Sequence, residues 1–297
     1  MKAIRIHETG GPDVMTLEEV PPPVPVTGEA VVRLEAIGVN FIDVNHRSGA
    51  YPVPLPFTPG SEGAGVVVET GGDTHVEAGD RVAFAGVRGA YAEMTAVPAR
   101  RLVPVPDGVE LDVAAAVLLQ GMTAHFLTHS VCELKEGDWV LVHAAAGGVG
   151  SLLTQMAKAK GLSVLGAVSS AVKAEQASEA GADEVVVYGD RDFAEAAREV
   201  TAGRGMRAVF DAVGRDTFDK SIECLERRGH MVLYGQASGP PPQFDPRRLG
   251  NGSLFLTRPR MEDYTATRDE LLWRSEDVFA GVASGTLKVH VHARYPL

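Results

Sequence analysis

The sequence predicts an α/β protein in which a β-rich region precedes a doubly wound parallel sheet. The first third of the 297 residues is rich in proline and glycine and contains short stretches of alternating polarity. From about Asp138 onward, short apolar segments alternate with amphipathic ones, which is typical of a parallel sheet covered by helices. A glycine-rich turn joins the first of these apolar segments to the helical segment that follows it.

Short strands are predicted throughout the first third. Between Ala30 and Ile37, apolar residues alternate with charged ones, which is the period of a half-buried strand. The N-terminus alternates in the same way and lacks the apolar core of a signal peptide. Similar segments, separated by turn-forming residues, are 65–70, 80–85 and 90–97.

The middle of the chain predicts the parallel sheet. Its candidate strands are short, mostly apolar and bounded by glycine or charge, as strands covered on both faces are. They are Trp139–His143, Ser163–Val168, Glu184–Tyr188, Arg207–Asp211, His230–Tyr234 and Leu254–Thr257. A polar helix over about Thr267–Ser284 and a last strand near Lys288–Ala293 are expected after them.

The glycine-rich turn follows the strand that ends at His143. Compared with the dinucleotide fingerprint G-x-G-x-x-G, Ala145 stands at the first position, and Gly147 and Gly150 stand at the second and third. Small residues there let the backbone approach a pyrophosphate and let the helix pack closely on the strand. A plain tight turn is the alternative, but the strand before and the helix after favour a dinucleotide site at Gly147, Gly148, Val149 and Gly150.

The candidate strand Ser163–Val168, which follows the glycine-rich turn and its helix, bears on the choice of cofactor. An NAD site usually has an acidic residue about 20 residues past the glycines, where it binds the ribose 2′-hydroxyl. Here the strand ends in Ser169 and Ser170, and Lys173 follows. A solvated helix charge is the ordinary interpretation of a lysine, but without an acid nearby the pattern favours the 2′-phosphate of NADPH.

Charge and composition exclude several classes of protein. The net charge of -11 disfavours nucleic acid as a partner. We expect no apolar run long enough to cross a membrane. Cys132 and Cys224 fit neither a metal site nor a disulfide framework, so we expect a cytoplasmic protein. The histidines, His143 among them, show no ligand spacing and are expected to be ordinary surface or core residues.

At this point the sequence resembles a known family along essentially its whole length. Ala144–Gly150 resembles the motif of the zinc-free quinone oxidoreductases, the zeta-crystallin-like branch of the medium-chain dehydrogenase/reductases. Further matching segments, in the family's order, are 40–43, 47–52, 120–123, 211–214 and 253–259. The resemblance implies a GroES-like catalytic domain over residues 1–122, to which 258–297 return, and a Rossmann NADPH-binding domain over 123–257.

The resemblance also implies roles for individual residues. Lys173 and Tyr188 would flank the 2′-phosphate, although an aromatic residue at a strand end is ordinary. Asn40 and Tyr51 would face the acceptor, whereas from sequence alone a turn cap and a packing aromatic are the plainer interpretations. The residues that would line the rest of the cofactor site are Thr123, Gly214, Gly235, Gln236, Phe255 and Thr257.

The resemblance finally implies a reaction and an assembly. Zinc-dependent relatives carry a cysteine where Asn40 stands and a histidine where Ser61 stands, so we expect no metal. Without a Lewis acid, the acceptor would be an already electrophilic quinone or enone, reduced by hydride transfer. An enone or enoyl reductase and a non-catalytic NADPH-binding protein stay open as alternatives. Relatives imply a homodimer formed along the sheet edge near Leu254–Thr257.

Overall fold

A computed structural model describes all 297 residues, which form two compact units. The first comprises Met1–Met122 and Thr265–Leu297, and the second comprises Thr123–Tyr264. The strands and helices, in chain order, are β1 (Lys2–Ile6), β2 (Met15–Glu19), β3 (Glu29–Ile37), α1 (Phe41–Ser48), β4 (Glu62–Thr70), β5 (Arg81–Ala85), β6 (Met94–Pro98), β7 (Val103–Pro104), α2 (Leu111–His129), β8 (Trp139–His143), α3 (Gly148–Ala159), β9 (Ser163–Val168), α4 (Ala171–Glu179), β10 (Glu184–Val187), α5 (Phe193–Val200), β11 (Met206–Asp211), α6 (Phe218–Glu223), β12 (Leu225–Leu233), β13 (Phe255–Thr257), α7 (Met261–Tyr264) and α8 (Arg268–Ala283).

The first unit is built on an antiparallel sheet of five strands in the order β6-β3-β4-β5-β7. The alternation predicted for Ala30–Ile37 places Ala30 and Val32 in the buried core of this sheet, while Arg33 and Glu35 are exposed. The pair β1 and β2 forms a separate two-stranded sheet. The segment between β3 and β4 contains α1, which carries candidate site residues at its two ends.

The second unit is a six-stranded parallel sheet in the order β10-β9-β8-β11-β12-β13. The chain begins at the centre with β8, moves outward to β10, and then returns to the other side of β8 with β11. The strand order therefore reverses between β8 and β11, and in such sheets ligands bind beyond the carboxyl ends of the strands at the reversal. The predicted α/β fold class is confirmed by this sheet and by the antiparallel sheet of the first unit.

Two expectations from the sequence are wrong. Residues 288–293 alternate valine with polar residues, yet they form no strand, because no neighbouring strand pairs with them. Helix α2, at 19 residues and a mean hydropathy of 1.3, is long and apolar enough to cross a membrane, contrary to the expectation of no such run. The structure buries 61% of that stretch, which is how a core helix of a folded domain behaves.

Candidate functional site

Most of the predicted cofactor residues lie just beyond the carboxyl ends of adjacent parallel strands. Gly147–Gly150 follow β8, Ser169 and Ser170 follow β9, and Tyr188 follows β10. On the other side of the reversal, Gly214 follows β11, and Gly235 with Gln236 follows β12. Strand topology therefore brings residues that are distant in sequence to one edge of the sheet.

The glycine-rich turn is closely packed. Ala144 adopts a positive φ of 53°, and its carbonyl accepts a hydrogen bond from the Gly147 N–H at 2.8 Å. A Cβ on Gly150 would lie 2.2 Å from the same carbonyl oxygen, so a side chain there would displace α3 from the turn. At Gly147 the corresponding distance is 3.1 Å. Helix α3 thus begins at the turn with backbone N–H groups available to an anion.

Ser169, Ser170 and Lys173 come together at the start of α4. The Ser170 hydroxyl caps the helix by accepting from the Lys173 N–H at 3.4 Å, and the Lys173 Nζ donates to the Ser169 hydroxyl at 3.1 Å. Lys173 is exposed, and the structure pairs its ammonium group with a hydroxyl rather than with a carboxylate. The positive charge is therefore available to an anionic ligand.

Tyr188 is half-buried, and its hydroxyl lies 2.6 Å from Nδ1 of the fully buried His143. Burial is the main cause that raises the pKa of Tyr188, with a smaller contribution from the Asp211 carboxylate. The hydroxyl is therefore engaged within the protein, and the aromatic ring is the part left to contact a ligand.

The turns after β11 and β12 are joined by backbone hydrogen bonds, among them the one from the Ser238 N–H to the Val213 carbonyl at 2.9 Å. The Asp211 carboxylate accepts from the backbone N–H groups of Val213 and Gly214, at 2.7 and 3.0 Å. Gly214 has a φ of 88°, and a Cβ on it would lie 2.6 Å from the Gly239 carbonyl. Gln236 accepts a hydrogen bond from Arg258 at 3.1 Å. Gly214 is therefore required by its turn, and both turns present backbone groups at the edge of the sheet.

Three predicted residues lie away from those turns. Thr123 is part of α2 and half-buried, while Phe255 and Thr257 are the first and last residues of β13. Phe255 stacks on His230 with a centroid distance of 4.6 Å and is 52% exposed. Their contribution to a cofactor site stays a prediction.

In the first unit, Asn40 belongs to a buried cluster of polar side chains. Its Nδ2 donates to the Glu62 carboxylate at 2.7 Å, and its backbone N–H donates to Asp43 at 3.1 Å. Asp43 also accepts from the hydroxyls of Ser61 and Tyr91, at 2.7 and 3.2 Å. Asn40 and Ser61, which the resemblance places where zinc-dependent relatives carry zinc ligands, thus form hydrogen bonds within the protein.

Burial dominates the electrostatics of this cluster. Glu62 is completely buried, which raises its pKa from 4.5 to about 8, against the opposing effect of hydrogen bonds from Asn40 and from the Leu119 backbone. Burial also raises the pKa of Asp43, again against its hydrogen bonds. A Cβ on Gly38 would lie 2.2 Å from the Glu62 carboxylate, so the glycine leaves room for it.

Tyr51 follows α1 and is half-buried. Its backbone N–H donates to the Asn45 carbonyl at 3.0 Å, and its ring lies edge-on to His46 with a centroid distance of 6.3 Å. Asn40 and Tyr51 therefore lie at opposite ends of α1.

Sequence reasoning missed the roles of several buried or half-buried polar residues near these candidates. They are Asp43, Glu62, Tyr91, His143, Asp211 and Ser221. A signal existed for Asp43, because an acidic residue three positions after a helix N-cap is the pattern of a capping box. The others meet across 10 or more positions of the sequence, for which the sequence has no local signal.

Comparison with known proteins decides the family. Residues 26–107 match the alcohol dehydrogenase GroES-like domain, and residues 148–271 match a domain described as zinc-binding dehydrogenase. Quinone oxidoreductase 1 of Escherichia coli is 42% identical over 99% of this chain and 92% of its own length. The chain belongs to the quinone oxidoreductases of the medium-chain dehydrogenase/reductase superfamily.

Two further proteins are similar to this chain over nearly its whole length. A mycobacterial protein solved in complex with NADPH is 47% identical and superposes with a TM-score of 0.96, over 100% of this chain and 93% of its own. A 2-haloacrylate reductase from Burkholderia is 42% identical, over 98% of this chain and 91% of its own length. The family resemblance predicted from the sequence is thus confirmed.

Proposed function

We propose that this protein is an NADPH-dependent quinone oxidoreductase that transfers a hydride without zinc. The observation that carries the proposal is the edge of the parallel sheet, where a glycine turn and an available lysine stand beyond β8 and β9. The E. coli quinone oxidoreductase and the mycobacterial NADPH complex support both the activity and the cofactor.

The second unit fits the phosphate groups of NADPH. The space at Gly147 and Gly150 is what a pyrophosphate needs for close approach to the backbone, and the N-terminus of α3 attracts its negative charge. Lys173, with Ser169 and Ser170 beside it, supplies a charge-assisted contact for the 2′-phosphate. Tyr188 presents its ring to the same end of the cofactor, while Thr123, Gly214, Gly235, Gln236, Phe255 and Thr257 take its remaining parts.

NADPH supplies the hydride, so the task of the protein is to position the acceptor and stabilise its developing negative charge. We assign Asn40 and Tyr51 as the hydrogen-bond donors that stabilise this charge. An amide has two N–H bonds, and Asn40 uses one of them on Glu62, which leaves the second for an acceptor oxygen. Replacing Tyr51 with Phe tests the other donor, because only the hydroxyl is lost; an unchanged kcat/KM for quinones would remove Tyr51 from the site.

The residues at the expected zinc positions limit the chemical class of the acceptor. Neither an amide nor a serine hydroxyl is an ordinary zinc ligand, and here Asn40 and Ser61 are hydrogen-bonded to Glu62 and Asp43. A protein without a Lewis acid suits an acceptor that is already electrophilic. The similarity to the 2-haloacrylate reductase favours conjugated alkenes as a second class of acceptor.

The test is a comparison of acceptors under metal-free conditions. NADPH oxidation is measured with a panel of quinones and enones, before and after exhaustive chelation, and alcohol oxidation is measured with NADP⁺. We expect turnover of quinones that survives chelation, and no alcohol oxidation. Turnover of enones alone would favour the enone reductase, and NADPH binding without any turnover would favour a non-catalytic role. Alcohol oxidation lost with the metal would overturn the zinc-free reaction.

We further propose a cytoplasmic homodimer. Burial raises the pKa of Cys132 to about 11 and that of Cys224 to about 12, so both thiols stay protonated and unreactive, as suits a reducing compartment. The dimer would form along β13, the edge strand of the parallel sheet. Cell fractionation tests the compartment, and a charged substitution in β13 tests the dimer.

A further inference from the structure

Beneath the carboxyl ends of β8, β10 and β11, buried side chains form a continuous chain of hydrogen bonds. His143 lies at its centre, with Nδ1 at 2.6 Å from the Tyr188 hydroxyl and Nε2 at 2.9 Å from the Ser221 hydroxyl. Ser221 in turn lies 3.4 Å from the Asp211 carboxylate, which also accepts from Thr217 at 2.8 Å. His143, Ser221 and Asp211 are all completely buried.

The chemistry of these groups fixes the direction of the bonds. A carboxylate can only accept, so the Ser221 hydroxyl donates to Asp211 and its oxygen is left to accept from His143 Nε2–H. Burial lowers the pKa of His143 to about 4, so the ring is neutral and Nδ1 is an acceptor. The Tyr188 hydroxyl therefore donates to Nδ1, and its oxygen accepts a hydrogen bond from the Ala144 backbone.

This chain of bonds joins three segments that the proposed function places against the cofactor. Ala144, with its positive φ, begins the glycine turn. Tyr188 follows β10 beside the site assigned to the 2′-phosphate. Asp211 holds the turn of Val213 and Gly214 through their N–H groups. A change at His143 would affect Tyr188 and Ala144 first, since the Tyr188 hydroxyl is bonded to Nδ1 and the Ala144 backbone is bonded to the Tyr188 oxygen.

We infer that His143 is a positioning residue for NADPH, which holds the Tyr188 ring and the Ala144 turn in the arrangement that receives the 2′-phosphate and pyrophosphate. The inference rests on the proposed function for the identity of the cofactor. It goes beyond that function because His143, being buried, touches no ligand. A residue needed only for packing could be apolar, since burying polar groups costs free energy that their hydrogen bonds must offset.

The experiment separates cofactor recognition from stability. Dissociation constants for NADPH and NADH are measured by titration calorimetry, and the melting temperature is measured for each variant without cofactor. Tyr188→Phe keeps the ring and removes the hydroxyl, together with its hydrogen bonds to His143 and to the Ala144 backbone. His143→Gln keeps reach toward Ser221 and loses the acceptor for Tyr188, whereas His143→Asn keeps an acceptor near the Nδ1 position.

We expect Tyr188→Phe and His143→Gln each to lower the preference for NADPH over NADH by roughly threefold to tenfold, the range of one neutral hydrogen bond. The double variant should lose no more than the larger single change, because both single variants break the Tyr188–His143 bond. His143→Asn should retain most of the preference. Thr201→Ala is the matched control: its buried hydroxyl bonds to Ala197 near the amino end of β11, so it should lower stability alone.

Two results would overturn the inference. One is a lower melting temperature for Tyr188→Phe and His143→Gln with the wild-type ratio of the two dissociation constants, which would show a purely structural role. The other is full additivity in the double variant. If the wild-type protein prefers NADPH but reduces no quinone, the proposed reaction fails while the inference stands. If the wild-type protein binds both cofactors equally, the 2′-phosphate site and the inference fail together.

Discussion

Lys173 is the residue on which the choice between the two nicotinamide cofactors most directly depends. Its Nζ is held only by the Ser169 hydroxyl, and no acidic residue stands between the end of β9 and Lys173. Lys173→Ala should remove a charge-assisted hydrogen bond worth roughly 1.5–3 kcal/mol. The NADPH-to-NADH ratio of kcat/KM should then fall by about tenfold to a hundredfold.

The control for that variant is Lys135→Ala, because Lys135 is also an exposed lysine of the second unit and pairs with Glu133 at 3.2 Å. It should leave the ratio unchanged. A ratio that stays at its wild-type value in Lys173→Ala would show that the 2′-phosphate is bound elsewhere.

Glu62 makes the stability of the protein depend on pH. In the unfolded chain its carboxyl loses a proton near 4.5, whereas burial keeps it protonated up to about 8 in the folded protein. Between these values the folded state binds the extra proton, so the free energy of unfolding decreases as pH rises. Glu62→Gln should flatten this dependence, measured as the unfolding free energy by urea titration from pH 5 to pH 8.

Glu35→Gln, an exposed position in β3, is the control and should follow the wild-type curve. Asp43 keeps a raised pKa in both variants and contributes a slope of the same sign. Parallel curves for wild type and Glu62→Gln would show that Glu62 is already ionised in the folded protein.

For single residues, the sequence predicted those properties that depend on residue type alone. Asparagine and serine at positions 40 and 61 argue against a zinc site without any structure. The elevated pKa of Glu62 had no sequence signal, because it depends on complete burial in the folded chain, which the hydrogen bonds from Asn40 and Leu119 oppose only in part. The roles assigned to Asn40, Tyr51 and the cofactor residues remain predictions for the variants above.

Among the elements, β8 and α3 follow most directly from the sequence. The apolar run at 139–143 predicts the buried strand. Val149, Leu152, Leu153, Met156 and Ala157 recur at helical spacing, which predicts one apolar face of α3; the structure buries the last four and leaves Val149 half-buried. The strand predicted at 288–293 is absent. Alternating polarity shows that a strand would have one apolar face, but it does not show that a neighbouring strand is there to pair with it. Pairing depends on the rest of the chain, which local patterns do not contain.

Gly150 fixes how closely α3 packs on the turn, so a substitution at Gly150 tests the role of this helix. Its missing Cβ would stand 2.2 Å from the Ala144 carbonyl, so Gly150→Ala must move the helix or the turn. Overpacking of this kind costs about 1–3 kcal/mol, and the shift would also displace the N–H groups offered to the pyrophosphate. We expect a lower melting temperature together with at least tenfold weaker NADPH binding.

The matched control is Gly250→Ala, because a Cβ on Gly250 meets nothing within 4 Å. That variant should melt and bind as the wild type does. Wild-type NADPH affinity in Gly150→Ala would show that the turn does not carry the pyrophosphate.

For the whole molecule, the parallel sheet presents an edge that a second copy could cover. β13 is the last strand of the order and has only three residues, of which Phe255 is 52% and Leu256 is 36% exposed. Exposed apolar edge strands are a risk for aggregation unless they are paired, covered or charged. Together with the implied assembly of the family, this edge supports a symmetric dimer in which β13 meets its own copy.

The test of the dimer replaces an apolar side chain of this edge with a charged one. In a symmetric contact each substitution occurs twice, so Leu256→Lys places two like charges near each other in the interface. We expect a dimeric mass for the wild type and a monomeric mass for Leu256→Lys, by light scattering at micromolar concentration. Val172→Lys, which alters an exposed apolar residue of α4 far from β13 in the strand order, should remain dimeric. A monomeric wild type, or a variant at Leu256 with the full dimeric mass, would show that the protein does not assemble through β13.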